Sequence, residues 1–331
     1  MIKTHSLIFG IGNPLIDIVI QATDNDLDYL NMHKGTMELV DQERQAEIFK
    51  YFQNKNFLYF PGGSAANTII ACAGLGISSN FSGKIGNDNF GEMYLERFKQ
   101  YGIDNCIVSD VGPTGSSIVL ITPDGERTMN THLGISRQFS SDDINAKQLS
   151  QSKYLYFTGY MWDTENQKAS IEKAISIAQE NNIIIVFDVA DPFVVKRNKD
   201  AFIQLINEHV DIVFSNHSEL KILFNSNSLD SSVSELMNYT QSGGIKLGKR
   251  GSIVFHDKEK FIVKPSPISA IDSTGAGDMY AAGFLASISS GNNYQKSGEI
   301  AVQLAEEIIQ IQGAQFEEKI MKQLKSKILF N

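Results

Sequence analysis

The sequence predicts an α/β fold, a mostly parallel sheet flanked by helices with a small β-sheet lid over it. Short β-branched runs alternate with amphipathic stretches, which implies right-handed βαβ crossovers and a sheet covered on both faces. The 331 residues, 42% hydrophobic and 20% charged, suffice for one large domain with an insertion. Two regions break the alternation and look like antiparallel β pieces.

The strand runs are LIFGIG (7–12), SNFSGKIG (79–86), YLYFTG (154–159), IIIVFDV (183–189), DIVFSN (211–216) and GSIVFH (251–256). Helical patterns at 165–182 and 200–210 separate several of them. The exceptions are LIDIVIQ (15–21) with GTMELV (35–40), and GSSIVLITPDGERTMNTH (115–132), a hairpin turning at Pro123, Asp124 and Gly125. The expected domains are therefore a large body at 1–14, 41–114 and 133–331, and a discontinuous lid at 15–40 and 115–132. Asp17 must face the crevice under the lid, which turns Ile16, Ile18 and Ile20 outward. An apolar outer face needs a cover, so a homodimer through the lid is expected.

A formal charge of -9 argues against sequence-independent binding to nucleic acid or anionic membranes. Cys72 and Cys106 lie in no Cys-x-x-Cys motif, and a reducing cytoplasm fits best. Asn13, Pro14 and Asp17 interrupt the apolar N-terminal run, which is not expected to be a signal segment. GIGNPLID starts like a dinucleotide fingerprint, but the third glycine is missing and a strand pattern follows where a helix is needed.

The chemistry concentrates in ISAIDSTGAGDMYAAGFLASI (268–288), a helix start made almost without side chains. Helix N-termini attract anions, and Gly275, Ala276 and Gly277 let one approach the backbone N–H groups. Asp278, on the first turn, is placed to accept a proton from a hydroxyl nucleophile. A plain Gly-containing connection capped by Asp272 or Ser273 is the bland alternative.

DSTGAGDMYAAGFL closely resembles one signature of the ribokinase-type (PfkB) carbohydrate kinases, and GKIGNDNFGEMY (83–94) is similar to the other. The resemblance runs from GNPLIDI (12–18) to IQGAQF (311–316). GNPLIDI, PGGSAANT (61–68) and GERTMNTHLG (125–134) look most like the adenosine kinase branch. It implies a ribokinase-like fold and Mg²⁺- and ATP-dependent transfer to a primary hydroxyl, with the 5′-hydroxyl of adenosine or a related nucleoside the expected acceptor. A free-sugar kinase, or a non-catalytic nucleoside sensor, are the competing readings.

The resemblance also distributes roles. Asn13, Asp17, Gly62, Gly63 and Asn67 would hold the acceptor, where a carboxylate suits a vicinal diol. Asp17 could equally be a turn carboxylate, and Gly62–Gly63 a helix start capped by Ser64. Tyr160 and Trp162 could stack on a nucleobase or lie in the core. Asn216 and Glu219 would organise Mg²⁺ through water, or form a helix cap. Arg127 would meet the transferring phosphate. Lys246, Gly248 and Gly251 lie in the loop assigned to the nucleotide phosphates, with Lys246 where the family usually has threonine. GAQF and the helix before it would wall the adenine of ATP, and Asp272 would orient the turn or contribute to a monovalent-cation site.

Overall fold

A computed structural model describes residues 7–329; residues 1–6 and 330–331 of the expected large domain lie outside the described residues. In chain order the strands are β1 (Ile8–Ile11), β2 (Leu15–Gln21), β3 (Met37–Leu39), β4 (Leu58–Gly62), β5 (Ser79–Gly86), β6 (Asp104–Asp110), β7 (Gly115–Ile121), β8 (Arg127–His132), β9 (Tyr154–Thr158), β10 (Ile184–Asp188), β11 (Ile212–Asn216), β12 (Ser242–Lys246), β13 (Ser252–His256) and β14 (Glu259–Val263). The helices are α1 (Asp24–Tyr29), α2 (Gln42–Tyr51), α3 (Ser64–Gly74), α4 (Asn89–Gln100), α5 (Ala146–Leu149), α6 (Glu165–Glu180), α7 (Pro192–His209), α8 (His217–Phe224), α9 (Leu229–Tyr239), α10 (Ala276–Ser289), α11 (Tyr294–Ile308) and α12 (Glu318–Leu329).

Nine strands form the large sheet in the order β14-β13-β12-β11-β10-β9-β1-β5-β6. From β12 to β6 all pairings are parallel; the β12–β13 and β13–β14 pairings are antiparallel, so only β13 runs against the rest. Alternate residues serve two cores. Tyr154, Tyr156, Val186 and Phe214 pack with α3 and α10 on one face, while Leu155, Phe157, Phe187 and Val213 pack with α6 and α7 on the other. A sheet covered on both faces needs such continuous apolar runs, which is what made these strands visible. Among the described residues no helix is long and apolar enough to cross a membrane.

The smaller sheet has the order β3-β8-β7-β2-β4. The β7–β8 hairpin is antiparallel as expected, but β2 pairs parallel with β7 and β3 parallel with β8. β4 pairs antiparallel with β2, although residues 41–114 were expected in the large body. α2 also sits on this sheet: Gln45 Nε2 donates to the carbonyls of Ser116 and Asn130 at 3.0 and 3.3 Å.

These attachments remove the reason for expecting a dimer. Ile16, Ile18 and Ile20 are fully buried within the single chain. Ile20 packs with Leu27, Leu30, Ile48 and Phe52, and the other two join the cluster holding Tyr94 of α4. Burying each such side chain contributes about 1.5–3 kcal/mol. The apolar face is therefore covered by α1, α2 and α4, and no second copy is needed to cover it.

Candidate active site

Three strands of the large sheet end side by side at Asp188 (β10), Asn216 (β11) and Lys246 (β12). Parallel sheets form their ligand sites at this edge. Lys246 Nζ donates to both Asp188 oxygens, at 2.8 and 3.0 Å, and both side chains are largely buried. Burial would push Lys246 down, but the charge of Asp188, then of Glu219, and its bond to Asp188 outweigh that and hold the ammonium above the usual lysine range.

Asn216 caps α8. Its Oδ1 accepts from the Glu219 N–H at 3.0 Å, its own N–H donates to Glu219 Oε2 at 2.8 Å, and its Nδ2 donates to Oε1. Ser215 Oγ adds a bond to Glu219 Oε2 at 3.1 Å. Glu219 is fully buried; that burial pushes its carboxyl up to about 7, against the pull of the Lys246 charge.

α10 starts at Gly275, which caps it in the left-handed region with φ +71°. A Cβ there would lie 2.8 Å from Ala314, so only glycine fits. First-turn N–H groups have no helical carbonyl to bond. Ala276 is partly engaged, since its N–H reaches the Ser273 carbonyl at 3.3 Å, and the expected trio of free N–H groups is uneven.

Asp278 follows on the first turn. Its Oδ1 accepts from Ser64 Oγ at 2.6 Å and its Oδ2 from Asn67 Nδ2 at 2.9 Å. Ser64 is thus the first residue of α3, bonded across to Asp278, and Gly63 caps that helix. Asn67 Oδ1 accepts from Gln315 Nε2 at 2.8 Å, and Gln315 Oε1 accepts from Arg97 Nε at 2.8 Å. A hydrogen-bonded chain therefore runs from α4 to Asp278. Burial raises the Asp278 carboxyl to about 6, opposed by the bonds from Ser64 and Asn67 and by the charge of Lys246.

Asp17 projects from β2 on the face opposite Ile16 and Ile18. A Cβ on Gly62 would lie 2.4 Å from its carboxylate, so that glycine makes room for it. Burial, then the charge of Asp278, pushes Asp17 up to about 7, while Arg127 opposes the rise. Asn13 Oδ1 accepts from the buried Gln167 Nε2 at 2.6 Å.

Asn13, Asp17, Gly63, Asn67, Tyr160, Gly275, Gly277 and Asp278 line one crevice of about 270 Å³. Leu15, Met37, Leu39, Met129 and Leu133 give it an apolar wall. A second cavity of about 730 Å³ shares Asp17 and Thr274 and is bounded by Arg97, Arg127 and the segment Ile311–Glu317.

Other expected residues lie elsewhere or are differently engaged. Trp162, half-buried, packs on the edge of the core against Phe157, Phe187 and Phe202 and does not line the crevice. Gly248 and Gly251 form the β12–β13 connection and line neither cavity. Arg127, at the start of β8, pairs with Asp272. The Asp272 carboxylate also accepts from the N–H groups of Thr274 and Gly313, each at 2.8 Å, and from Thr274 Oγ1. It orients the turn, and these donors occupy the oxygens a monovalent cation would need.

The residues expected to organise Mg²⁺ do not fit a resident ion. Glu219 is bonded at both oxygens and shows no surface to a water shell, Asn216 caps a helix, and Asp188 is held by Lys246. No group of three or more His, Cys, Asp or Glu side chains that could hold a metal occurs among the described residues. The Asn216–Glu219 motif serves here as a capping box.

Sequence reasoning missed the roles of Ser64, Asp188, Gln167 and Gln315. Asp188 falls at the end of the run IIIVFDV (183–189) with nothing local to single it out, and Ser64 reads only as a cap.

The pattern described as pfkB family carbohydrate kinase matches residues 37–320. A 5-dehydro-2-deoxygluconokinase from Clostridium perfringens is 28% identical over 254 residues, 72% of this chain and 75% of that protein. The crystal structure of adenosine kinase from Sinorhizobium meliloti superposes with a TM-score of 0.89 at 30% identity, over 95% of this chain and 96% of that one. A probable sugar kinase from Rhizobium etli superposes with a TM-score of 0.92 at 26% identity, over 98% and 99%.

Proposed function

The chain belongs to the pfkB family of carbohydrate kinases, and on that premise we propose that it transfers the terminal phosphoryl group of ATP to the 5′-hydroxyl of a nucleoside, adenosine foremost. The family makes it a phosphotransferase with an alcohol acceptor; the acceptor's identity is the proposal.

The observation that carries it is the mixed lining of the crevice. Asp17 and Asp278 share it with the apolar side chains of Leu15, Met37, Leu39, Met129 and Leu133 and with the ring of Tyr160. A nucleoside uses both: the ribose diol on Asp17, the 5′-hydroxyl at Asp278, the flat base among the apolar side chains. A free sugar would leave the apolar wall empty.

In this reading Asp278 takes the hydroxyl proton as the acceptor oxygen bonds to phosphorus. The bond from phosphorus to the bridging oxygen breaks, and ADP leaves with its electron pair. The N–H groups at the start of α10 receive the transferring group, and Arg127, released from Asp272, adds charge. The adenosine part of ATP would use the wall formed by Ile311–Glu317, and Mg²⁺ would come on the nucleotide phosphates. Closure of the smaller sheet over the crevice would exclude water. Cys72 and Cys106 are both buried and form no disulfide with each other, which suits a reducing cytoplasm.

A panel of nucleosides and free sugars with ATP and Mg²⁺ tests the assignment. Adenosine should give the highest kcat/KM. Sugar phosphorylation without nucleoside phosphorylation would overturn it, and nucleoside binding without turnover of any acceptor would make the protein a sensor.

A further inference from the structure

We propose that Lys246 is a catalytic residue on the donor side: its ammonium, anchored by Asp188, meets the terminal phosphoryl group of ATP at the start of α10 and supplies a positive charge that the Asn216–Glu219 pair is not built to gather through a metal. The proposal rests on the phosphotransfer reading but not on the choice of acceptor.

An ammonium has three N–H donors. Two are taken by Asp188, and the third has no partner among the described residues. It lies against the bare helix start, because Nζ is 3.4 Å from where a Cβ on Gly277 would be. A cation beside the positive end of a helix is unfavourable unless an anion joins them. Asp278 and Asp188 offset part of that charge, but the third ammonium donor lies beside the first turn of α10 with no acceptor for it among the described residues. A phosphoryl oxygen is the acceptor that suits both.

The side of approach agrees. Lys246 comes from β12 and lines neither the acceptor crevice nor the second cavity, whereas Asp278 lines the crevice, so Lys246 meets the start of α10 from the large-sheet side. In-line transfer needs the acceptor and leaving oxygens on opposite sides of phosphorus. The acceptor hydroxyl loses its proton to Asp278, the new O–P bond forms, and the bond to the bridging oxygen breaks with its electrons going to ADP. Lys246 keeps its proton throughout.

The test is calorimetric titration without acceptor, using β,γ-imido-ATP and ADP against the wild-type chain, Lys246→Met and Lys246→Arg. Lys246→Met should lose about tenfold more affinity for the triphosphate analogue than for ADP, the scale of one charge-assisted bond. Its kcat should fall about 10²–10³-fold with the acceptor KM unchanged. Lys246→Arg should recover part of both. Equal losses for the two nucleotides, or none, would overturn the assignment. Lys246→Met leaves Asp188 buried and unpaired, so the double variant with Asp188→Asn is measured alongside. The same selective loss in the double variant supports the proposal, while restored triphosphate preference and turnover would show a structural ion pair only. Because no acceptor is present in the titration, an error about the nucleoside would leave its outcome unchanged.

Discussion

The large-sheet side of the site, its floor, and the small-sheet side, its roof, are built on opposite plans. On the floor each charged group is held: Lys246 by Asp188, Glu219 by Asn216 and Ser215, Asp278 by Ser64 and Asn67. On the roof, Asp17 stands on β2 between Leu15 and Val19 with no hydrogen-bond partner among the described residues. Groups oriented before reaction stabilise developing charge without reorganising, so the floor suits the chemical step. A lone carboxylate on an apolar face is instead incomplete until a ligand supplies its donors, so the roof suits recognition. Floor substitutions should therefore act on kcat, and roof substitutions on KM.

The largest effect is expected from Asp278→Asn, which should lower kcat by about 10²–10⁴-fold with acceptor KM little changed, by steady-state kinetics. An acceptor KM effect of that size with near-normal kcat would erase the distinction. The pH dependence sharpens it. Asp278 must be ionised to accept a proton, so turnover should rise with pH through about 6. The charged groups bearing on it are Asp188, Lys246 and Asp17. Removing the Lys246 charge should move the rising limb to higher pH, because that charge holds the carboxyl down.

Asp17→Asn comes next. Losing charge-assisted bonds to the diol, each about 1.5–3 kcal/mol, should raise nucleoside KM about 10- to 100-fold while kcat changes little. The same variant should be more stable than wild type above neutrality. Burial pushes Asp17 up to about 7 from the ordinary aspartate value of 3.8, so the folded state binds the extra proton between them. Its stabilising contribution is complete below the lower value and is lost as pH rises through the upper one. Thermal melts should therefore separate the two proteins at about pH 8 and converge at about pH 4.

The floor was more legible in the sequence than the roof, for physical reasons. Strands such as Ser79–Gly86 carry continuous buried runs, and the Gly275–Asp278 start is a contiguous motif. Yet β12 was invisible as a strand, because Gly243 and Gly244 are required where a Cβ would strike Phe255 and Tyr280. β4 was hidden by Pro61, which a strand accepts here because β4 is the sheet edge. The Lys246–Asp188 pair spans 58 residues and the Gln315–Asn67 bond 248, so only the strand order and the final packing bring them together. The roof takes strands from four separate stretches; three of them, 15–21, 35–40 and 115–132, read in the sequence as one small sheet, and only β4 was expected in the large body.

The smallest effect tests where the floor ends. The turn Gly159–Trp162 sends Tyr160 into the crevice and Trp162 into the cluster of Phe157, Phe187 and Phe202. Two aromatic residues that looked interchangeable in GYMWD should then behave differently. Tyr160→Ala removes a ring from the lining of the crevice, and base–aromatic stacking of about 1–3 kcal/mol predicts a nucleoside KM raised about 5- to 100-fold. Trp162→Phe keeps an aromatic group in that cluster, so nucleoside KM should stay within about twofold, with a stability loss near 1.5 kcal/mol or less by urea unfolding. If Trp162→Phe instead raised KM as much as Tyr160→Ala with stability intact, the base would reach past Tyr160 toward the second core, and the boundary between binding wall and core would have to move there.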